Sequence, residues 1–436
     1  MTQPLQQDLF ESLPLAQSSK KRDKIARSGT FGDNMKLPVH RWFRYSAGFS
    51  ADWAKEVISQ YKAKNLLDPF MGSGTVCLVG DELGLKSWGV EAHPFVYRLA
   101  KGKLAWNEKT DDFKQAITDI ENFAVKSDLN VPDDIPRLLI KCYSKKTLLD
   151  LYKIRDAYTE ISGSLSEEIR SLVFLAISAI LRPVSYVGTA QWQYILPNKR
   201  KAKVLQPIEA LNAQVGTMVD DMQQMSINSY GRKATIILGD ARTLIEIPTS
   251  IIDLVVTSPP YANNYDYADA TRLEMTFWGE VRSWSDLHGT VRQFLIRSSS
   301  QHVSKDQLEL DILLNETAIE PIKKELTKVC HELETIREGK GGKKAYHTMI
   351  AAYFNDMSNT FHSLRRVTKK GCTMCFVIGD SAPYGIYVPV EKWLGELAIA
   401  ANFSSWSFEK IRDRNVKWKN RKHSVPLHEG RLWIKG

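Results

Sequence analysis

The most constraining feature of this chain is a strand that runs straight into a glycine turn and then a helix. It reads NLLDPF (65–70), MGSGT (71–75) and VCLVGDELG (76–84), and a second strand, SWGVE (87–91), follows at once. Short apolar runs bounded by turn residues and alternating with helical stretches build parallel βαβ units, so the pattern predicts the opening of a doubly wound α/β sheet. In such sheets ligands sit beyond the carboxyl ends of the strands, where glycines let the backbone approach a ligand and enter a helix N-terminus. Asp68, Pro69, Phe70, Gly72, Gly74 and Thr75 occupy that place. A dinucleotide fingerprint would carry a third glycine where this chain has Cys77, and the Gly-Lys-Ser/Thr of a Walker loop is absent, which disfavours phosphate cradling.

The rhythm then breaks. From about Trp106 to Tyr230 apolar residues recur three and four apart, as in SEEIRSLVFLAISAIL, which predicts helices almost throughout. Strand patterns return with ATIILGD (234–240) and DLVVTSPPY (253–261). The expected organisation is a mobile polar arm over 1–34, a first core part over 35–105, a large helical insertion over 106–230 and a second core part over 231–282. A second helical insertion over 283–344, reading as an ordinary helix pair, precedes a last core part over 345–436 that ends in a hairpin.

Three acids or turns fall at successive strand ends. Glu91 stands where a side chain about 20 residues past the glycine turn can accept hydrogen bonds from ribose hydroxyls. Asp240 ends the next strand, where it can accept from an adenine amino group. At the end of DLVV, Ser258-Pro259-Pro260-Tyr261 must leave the sheet, because two prolines lack N–H donors and each restricts its predecessor. Such a turn offers fixed acceptors beside an aromatic ring, a setting suited to a planar group with an exocyclic amine.

DPFMGSGT (68–75), the acid Glu91 and the later TSPPY (257–261) together resemble the amino-group DNA methyltransferases, over roughly 36–105, 234–280 and 345–436. The resemblance implies a Rossmann-like, mostly parallel sheet with a C-terminal antiparallel hairpin, and S-adenosyl-L-methionine as cofactor. Asp68, Pro69, Phe70, Gly72, Gly74 and Thr75 would cradle its methionine part, Glu91 its ribose and Asp240 its adenine. Phe49 and Ser50, in HRWFRYSAGFSADW (40–53), would close over the amino-acid end, and Ser258, Pro259, Pro260 and Tyr261 would form the catalytic loop. Serine at the head of that loop is more typical of cytosine N4 than of adenine N6 modification. The implied partner is double-stranded DNA, with a separately acting restriction endonuclease as companion.

Charge agrees with a polyanionic partner: 59 Lys and Arg against 50 Asp and Glu leave +9. Gln191, Gln193, Lys199, Arg200 and Lys201, within the first insertion, and Lys417, Lys419 and Arg421, in the basic stretch 412–423, are the candidate nucleic-acid contacts. Five scattered cysteines favour a reducing compartment over a disulfide framework, and Cys372 and Cys375, three apart in a strand, should face opposite sides of the sheet rather than bind metal. No cysteine follows a proline, which disfavours attack on the carbon of a cytosine ring, and the histidines show no metal-binding spacing. The longest apolar run, Leu172 to Leu181, stops well short of the roughly 20 residues a membrane helix needs. The N-terminus does not read as a secretory signal, so a cytoplasmic protein is expected. An adenine-N6 DNA methyltransferase, an RNA methyltransferase and a catalytically silent nucleic-acid-binding protein of the same fold are the competing readings.

Overall fold

The computed structural model describes residues 31–45, 48–130, 132–188, 201, 204–228, 234–263, 266–303, 308–341, 344–414 and 425–436. Among the described residues seven strands form one sheet: β1 (Asn65–Asp68), β2 (Lys86–Glu91), β3 (Ala234–Leu238), β4 (Ile252–Thr257), β5 (Thr368–Gly379), β6 (Ser405–Arg414) and β7 (Leu427–Lys435). Their order is β3-β2-β1-β4-β5-β7-β6. The first five pair in parallel, whereas β7 runs antiparallel to both β5 and β6, so the sheet is mostly parallel and closes on an antiparallel hairpin. β1 leads to β2 on one side while β4 returns to its other side, and the order reverses at β1. That reversal opens a crevice at the carboxyl ends of these strands.

The central strands carry apolar residues on both faces in their interiors, Leu66 and Leu67 in β1 and Leu254, Val255 and Val256 in β4, because helices cover both sides of the sheet. Leu66, Leu254, Val256, Cys375 and Val377 pack on one face with Trp53 and Val57 of α1 (Ala51–Ser59) and Val76 and Val79 of α2 (Thr75–Glu82). Leu67, Val255, Met374 and Phe376 pack on the other with α9 (Tyr346–Val367) and α10 (Val390–Ala400). Cys372 lies in the second cluster and Cys375 in the first, so the two thiols do point to opposite sides of the sheet.

The stretch 106–230 includes, among its described residues, the helices α4 (Thr110–Lys126), α5 (Lys145–Ser162), α6 (Glu167–Ile180) and α7 (Pro207–Asn228). It is fused to the sheet's flank rather than set apart. Phe113, Leu151, Leu172 and Met218 share one apolar cluster with Phe95 and Leu99 of α3 (Pro94–Leu104). A Cβ on Gly102 would lie 2.7 Å from the Ser171 carbonyl, so α3 and α6 touch nearly backbone to backbone.

Two expectations are corrected. Residues 31–34, assigned to the mobile arm, belong to a 3-10 helix (Phe31–Lys36) whose Asn34 is buried; its amide donates to the Phe49 carbonyl and accepts from the Ala51 N–H, both at 2.8 Å. The segment 283–344 is more than a helix pair. Its α8 (Lys323–Gly339) packs beside α9, but residues 294–296 reach the crevice beyond the strand ends.

Candidate active site

The carboxyl ends of β1, β2, β3 and β4 open into one cleft. Pro69, Phe70, Gly72, Glu91, Asp240, Ser258 and Pro260, all predicted from the sequence, line it. The glycine turn is built for that place. Gly72 and Gly74 have φ of +54° and +89°, conformations that L side chains rarely adopt, and Gly74 caps the N-terminus of α2. A Cβ on Gly72 would come within 3.3 Å of the Tyr45 ring, so the turn fits closely beneath that tyrosine.

Asp68 works from below the cleft. Its Oδ1 accepts from the Thr257 hydroxyl at 2.5 Å and from the Phe70 N–H at 3.1 Å, tying the end of β4 to the glycine turn. Burial pushes its carboxyl up to about 7 against the pull of those two donors. Glu91 spans the turn from the other side: one oxygen accepts from the Gly72 N–H and the other from the His93 N–H, each at 2.8 Å. Burial raises it, too, to about 7. Asp240 accepts from the backbone N–H of Arg242 at 2.8 Å and is gripped by the same residue's guanidinium, 2.9 Å from Nε to Oδ2 and 2.7 Å from Nη2. Ser258 donates its hydroxyl proton to the Val377 carbonyl at 3.2 Å. Its oxygen lone pairs are thereby left as acceptors beside the cleft.

Other predicted residues stand elsewhere. Thr75 is the first residue of α2, behind the cleft wall. Phe49 and Ser50 do not line the cleft: Phe49 packs edge-on against Trp53 and Ser50 caps α1 by accepting from the Trp53 N–H. The residue of that segment that does line it is Tyr45. Its backbone is positioned by Asp221 of α7, which is fully buried and accepts from the Val39 N–H, the Trp42 indole and the Arg41 guanidinium at 2.6–3.0 Å. Pro259 and Tyr261 also stand outside the cleft lining, with the Tyr261 ring beside Gly379. Lys201, a candidate nucleic-acid contact, donates its ammonium to the Arg182 carbonyl at 2.6 Å and is half-buried there. Gln191, Gln193, Lys199, Arg200, Lys417, Lys419 and Arg421 lie outside the described residues.

Sequence reasoning passed over several residues. Lys103 is buried under the glycine turn, its ammonium 3.1 Å from the His40 carbonyl and 3.4 Å from the Ser73 hydroxyl, and burial pushes it down to about 7. Its signal was available, since Phe95, Leu99 and Lys103 recur four apart on the apolar face of α3. His93, Tyr267 and Phe294 line the cleft without any local signal. Phe294 belongs to a strap held by Arg297, whose guanidinium makes two bonds, 2.9 and 2.6 Å, to Asp356 of α9. Among the described residues no cluster of three or more His, Cys, Asp or Glu is placed to hold a metal ion.

A family model described as DNA methylase, of the N6/N4 group, matches residues 6–102. The type II methyltransferase M.BsoBI of Geobacillus stearothermophilus is 24% identical over 425 residues, covering 87% of this chain and 82% of its own length. M.AvaI of Anabaena variabilis is 25% identical over 405 residues, 86% of this chain and 81% of that one. M.MvaI of Kocuria varians is 22% identical over 437 residues, 92% and 90% of the two chains. The resemblance carried by the motifs thus extends over most of the chain. It supports an amino-methyltransferase with the Rossmann-like methyltransferase fold, of the kind found in restriction-modification systems.

Proposed function

We propose that this chain transfers a methyl group from S-adenosyl-L-methionine to the exocyclic amine of a flipped-out base in double-stranded DNA, cytosine N4, as the cytoplasmic modification half of a restriction system. The observation that carries this reading is a single cleft in which Ser258 and Pro260 of the Ser-Pro-Pro-Tyr loop face the same space as Glu91, Asp240 and the glycine turn.

The residues present fit the cofactor. The Gly72 turn offers a cradle that a side chain would fill, Glu91 offers carboxylate lone pairs for ribose hydroxyls, and Asp240 offers an acceptor for an amino group. When bound, S-adenosyl-L-methionine supplies a methyl group on an electrophilic sulfonium sulfur. The chain's own residues prepare the other reactant. The target amine's lone pair is delocalised into the ring, and it becomes nucleophilic as its protons are drawn into hydrogen bonds. The Ser258 oxygen can accept one of these because its own proton is spent on Val377, and the Pro259 carbonyl can accept the other. No covalent intermediate with the enzyme is required. Rotating the base out of the duplex costs a few kcal/mol, and stacking on the Tyr261 ring, worth about 1–3 kcal/mol, offsets part of it. Sequence readout is assigned to the insertion 106–230, with Gln191, Gln193, Lys199 and Arg200, and backbone contact to Lys417, Lys419 and Arg421.

Incubation with tritiated-methyl cofactor and mixed-sequence duplex DNA, digestion to nucleosides and mass identification of the labelled base tests this. N4-methylcytosine is expected. Label in N6-methyladenine would correct the base while keeping the chemistry, and label only when RNA is supplied would overturn the substrate.

A further inference from the structure

The guanidinium carbon of Arg414, the last residue of β6, stands 5.1 Å from the centroid of the Tyr261 ring. The Arg414 side chain is itself held, because its Nη1 donates to the Asp380 carbonyl at 2.8 Å. Asp380 follows the end of β5 and also grips the opposite arm of the hairpin. Its carboxylate accepts from the His428 N–H at 2.8 Å and lies 2.9 Å from the His428 ring nitrogen Nδ1. Gly379 completes the arrangement. A Cβ there would lie 2.5 Å from Arg414 Nη1 and 3.1 Å from Tyr261 Cε2, so the cation and the ring close together over a position with no room for a side chain.

We infer that Arg414 is a positioning residue for the catalytic ring: its planar guanidinium, anchored by the Asp380 carbonyl over Gly379, backs one face of Tyr261 and fixes the opposite face for the target base. The flat shape and the fork matter here, not only the charge. A guanidinium stacks on an aromatic face and donates sideways at the same time, which a lysine ammonium cannot do. This arrangement would also explain why the antiparallel hairpin is joined to β5 rather than elsewhere on the sheet: β6 delivers Arg414 to the catalytic loop while β7 anchors to Asp380.

The inference rests on the proposed DNA methyl transfer, and the two are separable by experiment. Arg414→Ala, Arg414→Lys and Gly379→Ala are compared with the wild type for cofactor affinity by equilibrium dialysis, DNA affinity by filter binding, and kcat and KM on mixed-sequence duplex DNA at saturating S-adenosyl-L-methionine. Unchanged cofactor affinity establishes folding, and Gly379→Ala carries the test should Arg414→Ala fail to fold. All three variants are expected to lose about tenfold or more in kcat, with Arg414→Lys retaining wild-type DNA affinity. In a Tyr261→Ala background, Arg414→Ala should slow turnover no further, because the ring it positions is gone. Wild-type kcat in Arg414→Lys, a loss confined to KM, or losses that multiply with Tyr261→Ala would each assign Arg414 to ordinary phosphate contact and overturn the positioning role. A wild-type protein that binds cofactor but labels no DNA would overturn the function on which the role depends.

Discussion

Tyr261, Gly74 and Glu91 are side chains whose separate jobs can be tested one at a time. Tyr261 stands outside the cleft bounded by the glycine turn, so Tyr261→Ala should bind cofactor normally by dialysis yet lose most turnover. Gly74→Asp should abolish cofactor binding. At φ +89° an aspartate is strained, and its Cβ would sit 3.4 Å from that of Ala100. Glu91 makes a pH prediction. Its carboxyl is raised to about 7, chiefly by burial, so the folded protein holds a proton there that the unfolded chain sheds at ordinary carboxylate pH. That stabilisation is complete below the ordinary range and is lost as pH rises through about 7, and Asp68 behaves alike. Cofactor affinity should move the opposite way, rising between pH 6 and 8 as Glu91 ionises and becomes the stronger acceptor for ribose hydroxyls. Glu91→Gln should flatten that profile, and a profile unchanged by the substitution would remove Glu91 from the ribose site.

Among the secondary elements, the last helix of the insertion has an unexpected task. Asp221 on α7 gathers the N–H groups of Val39, Arg41 and Trp42 and so fastens the segment that brings Tyr45 to the glycine turn. Asp221→Ala would leave three buried or half-buried donor groups without their acceptor, at a cost of about 2–4 kcal/mol, readable as a lowered urea midpoint. The strap at 294–296 is fastened in the same manner, from Arg297 to Asp356 on α9. Both inserted segments therefore serve the cleft structurally.

Across the assembled chain, the basic excess bears on partner binding rather than on the fold. If the runs around Lys199 and Lys417 contact phosphates, the logarithm of DNA affinity should fall with the logarithm of salt at a slope steeper than about −3, since each phosphate contact contributes about −0.9. A titration in filter binding measures that slope, and a flat response would clear those runs of backbone contact. One cleft formed from four strand ends and a strap over 200 residues distant in sequence from the glycine turn also explains why truncating either insertion should cost cofactor binding as well as recognition.

The strands, the glycine turn and the acids at strand ends were legible in the chain because each is a local matter: an apolar run, a backbone that needs positive φ, a proline pair that cannot stay in a sheet. Gly72, Glu91, Asp240 and Ser258, expected by that logic, line the cleft, and Asp68 sits beneath it. Phe294 and Tyr45 were not legible, because nothing in their neighbourhoods marks a residue that meets its partner only after the chain has doubled back. Phe49 and Ser50 stand away from the cleft lining for a related reason. Matching a segment by position identified the right neighbourhood, but the 3-10 turn and the Asn34 bridge rotate those two residues into the core and present Tyr45 instead. Periodicity and turn chemistry decide what each segment becomes; which side chains share a cleft depends on long-range packing and hydrogen bonds, whose partners carry no local signature.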